Sequence, residues 1–118
     1  MSKAALILLA SKVGIVELSE IVRGGFENAY LGYYAFASSA GRGVMRTGLS
    51  LVIGFAFQAL GLHRLEANIQ SSSTASVALV RRLGFRLEGF SPRYLRIAGE
   101  WRDHERCAIT REDWSPRR

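Results

Sequence analysis

A chain of 118 residues carries one hydrophobic core and is too short for two, so residues 1–118 are read as a single domain. A hydrophobic fraction of 48%, two prolines and no low-complexity run exclude an intrinsically disordered chain. The formal net charge of +6, with fourteen arginines to two lysines, fits an anionic partner such as a phosphorylated cosubstrate or a ribosome-like surface.

The first apolar run, "AALILLA" (4–10), is seven residues long and is followed by Ser11 and Lys12. A membrane span needs about 20 apolar residues, and no small-x-small cleavage site follows, so the run reads as a strand. No membrane association is expected. The single Cys107 cannot close an internal disulfide, which fits a reducing cytoplasm, and it reads as a small apolar group in a strand.

Ser11 and Lys12 form the turn to a hairpin partner, Val13 to Val22, which Arg23-Gly24-Gly25 ends. "AYLGYYAFA" (29–37) is aromatic-rich and bounded by turn residues, and so is a third strand. "SSAGRGVMRTG" (38–48) leads from it into "GLSLVIGFAFQALG", where apolar side chains at 49, 52, 53, 56, 57 and 60 mark a helix. Gly61 stops that helix, and His63 just beyond is placed to favour its C-terminal end.

"RLEANIQ" (64–70) alternates as a strand. "SSSTASVALVRRLG" follows as a second helix, with Ser73 or Thr74 as N-cap and Gly84 as its stop. "FRLEGFSPRYLRI" and "EWRDHERCAIT" are two further strands joined through Ala98-Gly99, with a bulge or bend expected at Pro92. The resulting order is βββαβαββ, an α/β (α+β) fold with a mixed, twisted sheet. Its central β-loop-α-β segment must be a right-handed crossover between parallel strands.

The stretch 38–48 then lies at the carboxyl end of one strand and the amino end of a helix, where open α/β sheets bind ligands. Free backbone N–H groups, the helix dipole and the glycines suit a phosphate group, and Arg42 and Arg46 add full charges. A Gly-x-Gly of this kind also begins helices that bind nothing. The arginines are spread along the chain with no aromatic-interleaved basic motif, which argues against a dedicated nucleic-acid binder.

Residues 40–45, "AGRGVM", resemble the phosphate loop Q/R-x-x-G-x-G/A of the GNAT superfamily of N-acetyltransferases. Gly43 matches the central glycine; Ala40 stands for the usual Gln or Arg, and Met45 for the last small residue. "EIVRGGFENAYLGY", "LGLHRLEANIQ", "ALVRRLGFRLEGF", "RYLRIAGEWRDHERCAIT" and "REDW" are similar to its ribosomal-protein-alanine (RimJ/RimL-like) branch.

The resemblance implies acetyl-CoA as cosubstrate, no metal, and a protein N-terminus or other amine as acceptor, a ribosomal protein among the candidates. The pantetheine would lie between strands 30–37 and 64–70, along Tyr34, Phe36 and Ala37. The pyrophosphate would rest on the N–H groups of Gly41, Arg42, Gly43, Val44, Met45 and Arg46. Asn68, Ser73 and Ser76 would complete the cofactor site, with Ser71 and Ser73 standing where the family has Pro and Asn.

Ser76 matches the serine assigned to protonate the departing thiolate; a hydroxyl in a first helical turn also bonds ordinary backbone. Glu17 is the candidate general base, with Glu88 and His104 as alternatives expected at the surface. The family's base position aligns with Leu95.

The resemblance implies an opening strand and two helices ahead of this hairpin, and the chain is expected to lack them. The strand "ALILLA" is therefore expected to be an exposed edge at which two copies could pair as a homodimer. Two other readings stand beside the enzyme: a truncated, catalytically inactive acetyl-CoA binder, and a basic ribosome- or RNA-associated module.

Overall fold

The computed structural model describes residues 5–10, 14–35 and 42–115. The strands are β1 (Ala5–Ala10), β2 (Gly14–Val22), β3 (Asn28–Ala35), β4 (Arg64–Gln70), β5 (Arg86–Ile97) and β6 (Glu100–Thr110). Helix α1 (Arg42–Gln58) lies between β3 and β4, helix α2 (Thr74–Arg82) between β4 and β5, and a 3-10 turn (Arg111–Asp113) follows β6. The order βββαβαββ is the expected one. Helix α1 starts at Arg42 rather than near Gly48, so two glycines that read as loop lie within it.

The six strands form one sheet in the order β1-β2-β3-β4-β6-β5, leaving β1 at one edge and β5 at the other. Every pairing is antiparallel except β3 with β4, the two strands joined by the α1 crossover. The β5 register shifts between Ser91 and Leu95, the interval that contains Pro92. Ala98 and Gly99 both take positive φ in the turn to β6.

Strict alternation in β4, with Leu65, Ala67 and Ile69 buried, gives the sheet one apolar face. Val16 and Leu18 of β2, Ala29 and Leu31 of β3, and Cys107 and Ile109 of β6 extend that face. Leu49, Val52, Ile53, Ala56 and Phe57 of α1 and Val80 of α2 pack on it, so both helices share one side. Burial pushes the Cys107 thiol up, as suits an apolar core residue.

The opposite face has no helix among the described residues and is polar. Arg64 reaches Glu66 at 3.2 Å and Glu88 at 2.5 Å, and Arg86 pairs with Glu88 and Asp113.

His63 does not serve the end of α1. Its Nε2 lies 2.8 Å from a Glu112 carboxylate oxygen in the 3-10 turn. The carbonyls beyond α1 are met by arginines from elsewhere, Arg111 donating to Leu62 O at 2.8 Å and Arg23 to Leu60 O at 2.5 Å. Those donors come from distant positions, so local spacing singles out the wrong cation.

The same turn delivers Trp114 onto α1. A glycine inside a helix costs about 1 kcal/mol against alanine, but a Cβ on Gly54 would stand 3.4 Å from Trp114 Cζ2. The indole rests there against Phe57, ring centroids 5.6 Å apart. Trp114→Ala should therefore lower the unfolding free energy by about 3 kcal/mol in urea titration; a loss below about 1 kcal/mol would show that this turn does not close the core.

Candidate active site

The parallel pairing of β3 with β4 covers only Asn28–Arg64, Ala29–Leu65 and Tyr30–Glu66. Beyond it each strand follows its outer neighbour, β3 along β2 as far as Gly14–Ala35 and β4 along β6 as far as Gln70–His104. The two strands diverge, and a cleft of about 300 Å³ opens in the sheet between them. Leu31 to Tyr34 form one wall and Asn68 to Gln70 the other. Ser73 and Ser76 close the helical side, and Leu95, Ile97 and His104 the helix-free side.

The helical side is fixed by Tyr33. Its phenol donates to the Ser76 carbonyl at 2.9 Å, tying the first turn of α2 to the cleft wall. Burial pushes the phenol up to about 12, so it stays a donor through the physiological range. Ser73 is the N-cap of α2, as expected, but its hydroxyl makes no capping bond, and the residue lines the cleft. Ser76 also lines the cleft. Asn68 Oδ1 is buried in the opposite wall without a hydrogen-bond partner among the described residues, an acceptor suited to a ligand N–H.

Helix α1 carries the other end of the expected site. Arg42, Gly43 and Val44 fall in its first turn, whose N–H groups have no intrahelical acceptor and where no acidic residue stands. A Cβ on Gly43 would meet nothing within 4 Å, so the main chain there is open to a bulky anion. Val44 and Arg46 are exposed.

One expectation needs correction, at Arg46; the Met45 side chain, 6% exposed, belongs to the core, which leaves the role expected of its N–H untouched. With α1 beginning at Arg42, the Arg46 N–H falls in the hydrogen-bonded ladder, leaving its guanidinium as its means of holding a phosphate. Phe36, Ala37, Gly41 and Ala40 lie outside the described residues; Tyr34 is 61% exposed at the cleft.

The base candidates separate clearly. Glu17 pairs with Gly32 across β2 and β3, its Oε1 3.5 Å from where a Gly32 Cβ would stand, half-buried above the cleft wall. Glu88 is already engaged: hydrogen bonding to Arg64 holds its carboxyl below the usual range, so it is not a ready proton acceptor. His104 is not a surface residue but 2% exposed in the cleft wall. Leu95 lines the cleft as an apolar group.

The profile of the acetyltransferase (GNAT) domain matches residues 3–86. The chain belongs to the GNAT acetyltransferase family. It is 39% identical over 106 residues to the [ribosomal protein uS5]-alanine N-acetyltransferase of Escherichia coli (strain K12), covering 90% of this chain and 55% of that protein. It is 35% identical over 101 residues to the probable N-acetyltransferase YjcK of Bacillus subtilis (strain 168), covering 86% and 56%.

Among solved GNAT structures, Mycobacterium smegmatis RimJ in complex with CoA-disulfide superposes with a TM-score of 0.79 at 37% identity, covering 85% of this chain and 48% of that one. The ribosomal-protein-S5-alanine acetyltransferase of Vibrio fischeri gives 0.80 at 34%, covering 88% and 57%. The chain thus spans about half the length of the curated relatives it matches. Among the described residues no helix is long and apolar enough to cross a membrane.

Sequence alternation alone did not single out Tyr33, because its partner is a main-chain carbonyl 43 positions away. Tyr33→Phe should cost about 1 kcal/mol by removing the hydrogen bond that ties the cleft wall to α2. The folded phenol titrates near 12 against 10.0 for the ordinary group. Burial of the neutral phenol therefore contributes stability that is full below the unfolded value and lost as pH rises through the folded one, when ionisation also removes the hydrogen from the bond. The stability gap between wild type and variant should hold in urea titrations at pH 7 to 9 and narrow above about pH 10.

Proposed function

We propose that the chain is an acetyl-CoA-dependent N-acetyltransferase whose acceptor is the N-terminal α-amino group of a protein, of the ribosomal kind named for its relatives. The observation that carries this is the cleft between the diverging parallel strands, the first of which leads in sequence to the N-terminus of α1. The donors and acceptors present suit the cosubstrate. The Gly43 main chain is open to a pyrophosphate, Arg42 and Arg46 supply positive charge, and Asn68 Oδ1 offers an unused acceptor.

Acetyl-CoA brings an activated thioester, which an amine attacks directly. A backbone N–H of β3, unpaired with β4 beyond Tyr30, is placed to receive the negative charge that develops on the carbonyl oxygen. An α-amino group has a pKa of about 8, so a modest base releases its lone pair. Ser76, a residue of the cleft lining, is the group suited to protonate the departing sulfur.

Isothermal titration of the 118-residue chain with acetyl-CoA should give micromolar binding, weakened about tenfold or more by Arg46→Glu through loss and reversal of a phosphate-pairing charge. Mass spectrometry should then show one acetyl group added to a peptide that begins with alanine. Binding without transfer to any such peptide would leave an acetyl-CoA binder and remove the enzyme reading. RNA binding that acetyl-CoA does not displace, with no acetyl-CoA affinity, would identify a basic RNA module instead.

A further inference from the structure

We infer that His104 is the proton acceptor for the attacking amine, a role that rests on the acetyltransferase reading. On β6 it pairs with Gln70 of β4 and Ser91 of β5, which places it on the helix-free face of the sheet. It is 2% exposed, yet it lines the cleft from that face. The serines of α2 occupy the other side, so a donor lodged against α2 and an acceptor entering from the open face would meet between them.

The hydrogen bonding of the ring fixes which nitrogen is available. His104 Nδ1 lies 2.9 Å from the Arg102 carbonyl oxygen, which can only accept. Nδ1 therefore carries the proton of the neutral imidazole, and Nε2 keeps its lone pair. The Tyr94 ring packs at 5.9 Å between centroids, tilted by 59°, and restrains the plane. A side chain held at one nitrogen, with no hydrogen bond at the other among the described residues, is arranged to take a proton.

The rest of the cleft wall offers no rival among the described residues. Its other titratable groups are the phenols of Tyr33 and Tyr34, and Tyr33 spends its hydrogen on Ser76. Asn68 and Gln70 are amides, Ser73 and Ser76 hydroxyls, and the remainder apolar or glycine. Glu88 is bound by two arginines, and Glu17 overlies Gly32 without lining the cleft. The groups facing His104 are Tyr94 and Ser91 from β5, Gln70 from β4, and Arg102 and Arg106 two positions away on its own strand. Arg106 Nε donates to Ser91 Oγ at 2.8 Å. None of these neighbours is a carboxylate.

In the step this implies, the amine nitrogen forms a bond to the thioester carbonyl carbon, and the carbon–sulfur bond breaks. The surplus proton on nitrogen passes to His104 Nε2 and from there to solvent. The sulfur leaves as thiolate and takes up a proton from Ser76 or water. Protons and charge balance without an oxidant, reductant or covalent enzyme intermediate.

His104→Asn tests the assignment, because the Asn amide can still donate to the Arg102 carbonyl while the Nε2 lone pair is lost. The expected result is a fall of about 100-fold in kcat/KM for an Ala-started peptide. Acetyl-CoA affinity should stay within twofold of wild type, and the acid limb of the kcat/KM profile should disappear.

Unchanged activity with the acid limb intact would overturn the proposal. So would loss of both in Glu17→Gln, measured alongside, with His104→Asn unaffected.

A second measurement uses the unaltered chain. Histidine ¹⁵N resonances should show a proton-bearing Nδ1 and a bare Nε2 at His104, and an Ala-started peptide added to the CoA-bound chain should shift the Nε2 signal. A bare Nδ1, or an Nε2 signal indifferent to the peptide, rejects the role whether or not the variant folds. Acetyl-CoA binding with no transfer would instead be the failure of the enzyme reading, and the nitrogen signals would still decide His104.

Discussion

The structure turns on three residue pairs. Asn28–Arg64, Ala29–Leu65 and Tyr30–Glu66 hold β3 to β4, and after them the two strands part. A parallel pair in mid-sheet would normally run its full length, because unpaired main-chain groups buried without partners are costly. Here each strand keeps its antiparallel neighbour, so the sheet survives the gap and only the inner edges of β3 and β4 are released. Those edges are the two walls of the cleft. A peptide-like ligand arm lying between them would restore what the sheet gave up.

That opening constrains the helices. Both pack on one face, where Leu49, Ile53 and Val80 meet Leu18, Leu65 and Ile109. The first turn of α2 must then be held back from the gap it overlooks, which the Tyr33 bond to the Ser76 carbonyl accomplishes. The helix-free face stays polar because its residues neutralise one another laterally, Arg64 bridging Glu66 and Glu88. A carboxylate committed in this way is unavailable as a base, while His104, one pairing away from Gln70 at the cleft, is committed at one nitrogen only.

Much of the fold was legible because its signals are local. The alternation in "RLEANIQ" and the Gly84 stop place β4 and the end of α2, and Gly84 does take positive φ. Pro92 marks the interval where β5 loses register. The misplaced start of α1 has an equally local cause: Gly43 and Gly48 are poor helix formers, but Met45 and Leu49 on the core face outweigh them. The site was harder to read. Met45 stands where the loop pattern has a small residue and its side chain serves the core, and His104 sits in a run of charged residues that suggests a solvent-facing strand. Burial at one position of a strand depends on the elements above it, and no spacing rule carries that information.

The contrast between Glu88 and His104 shows why position along a strand does not settle chemical role. Both lie on outer strands of the sheet's helix-free side, and both are titratable. Glu88 lies beside two guanidinium groups, and its lone pairs are saturated by charge-assisted bonds. His104 faces a main-chain carbonyl that accepts one hydrogen and offers none, so Nδ1 carries the proton of the neutral ring, and among the described residues Nε2 has no hydrogen bond. A proton acceptor needs an unspent lone pair at the place where the proton is released. On this sheet the pairing of Arg64 with Glu88 commits the carboxylate, while the Arg102 carbonyl commits one imidazole nitrogen.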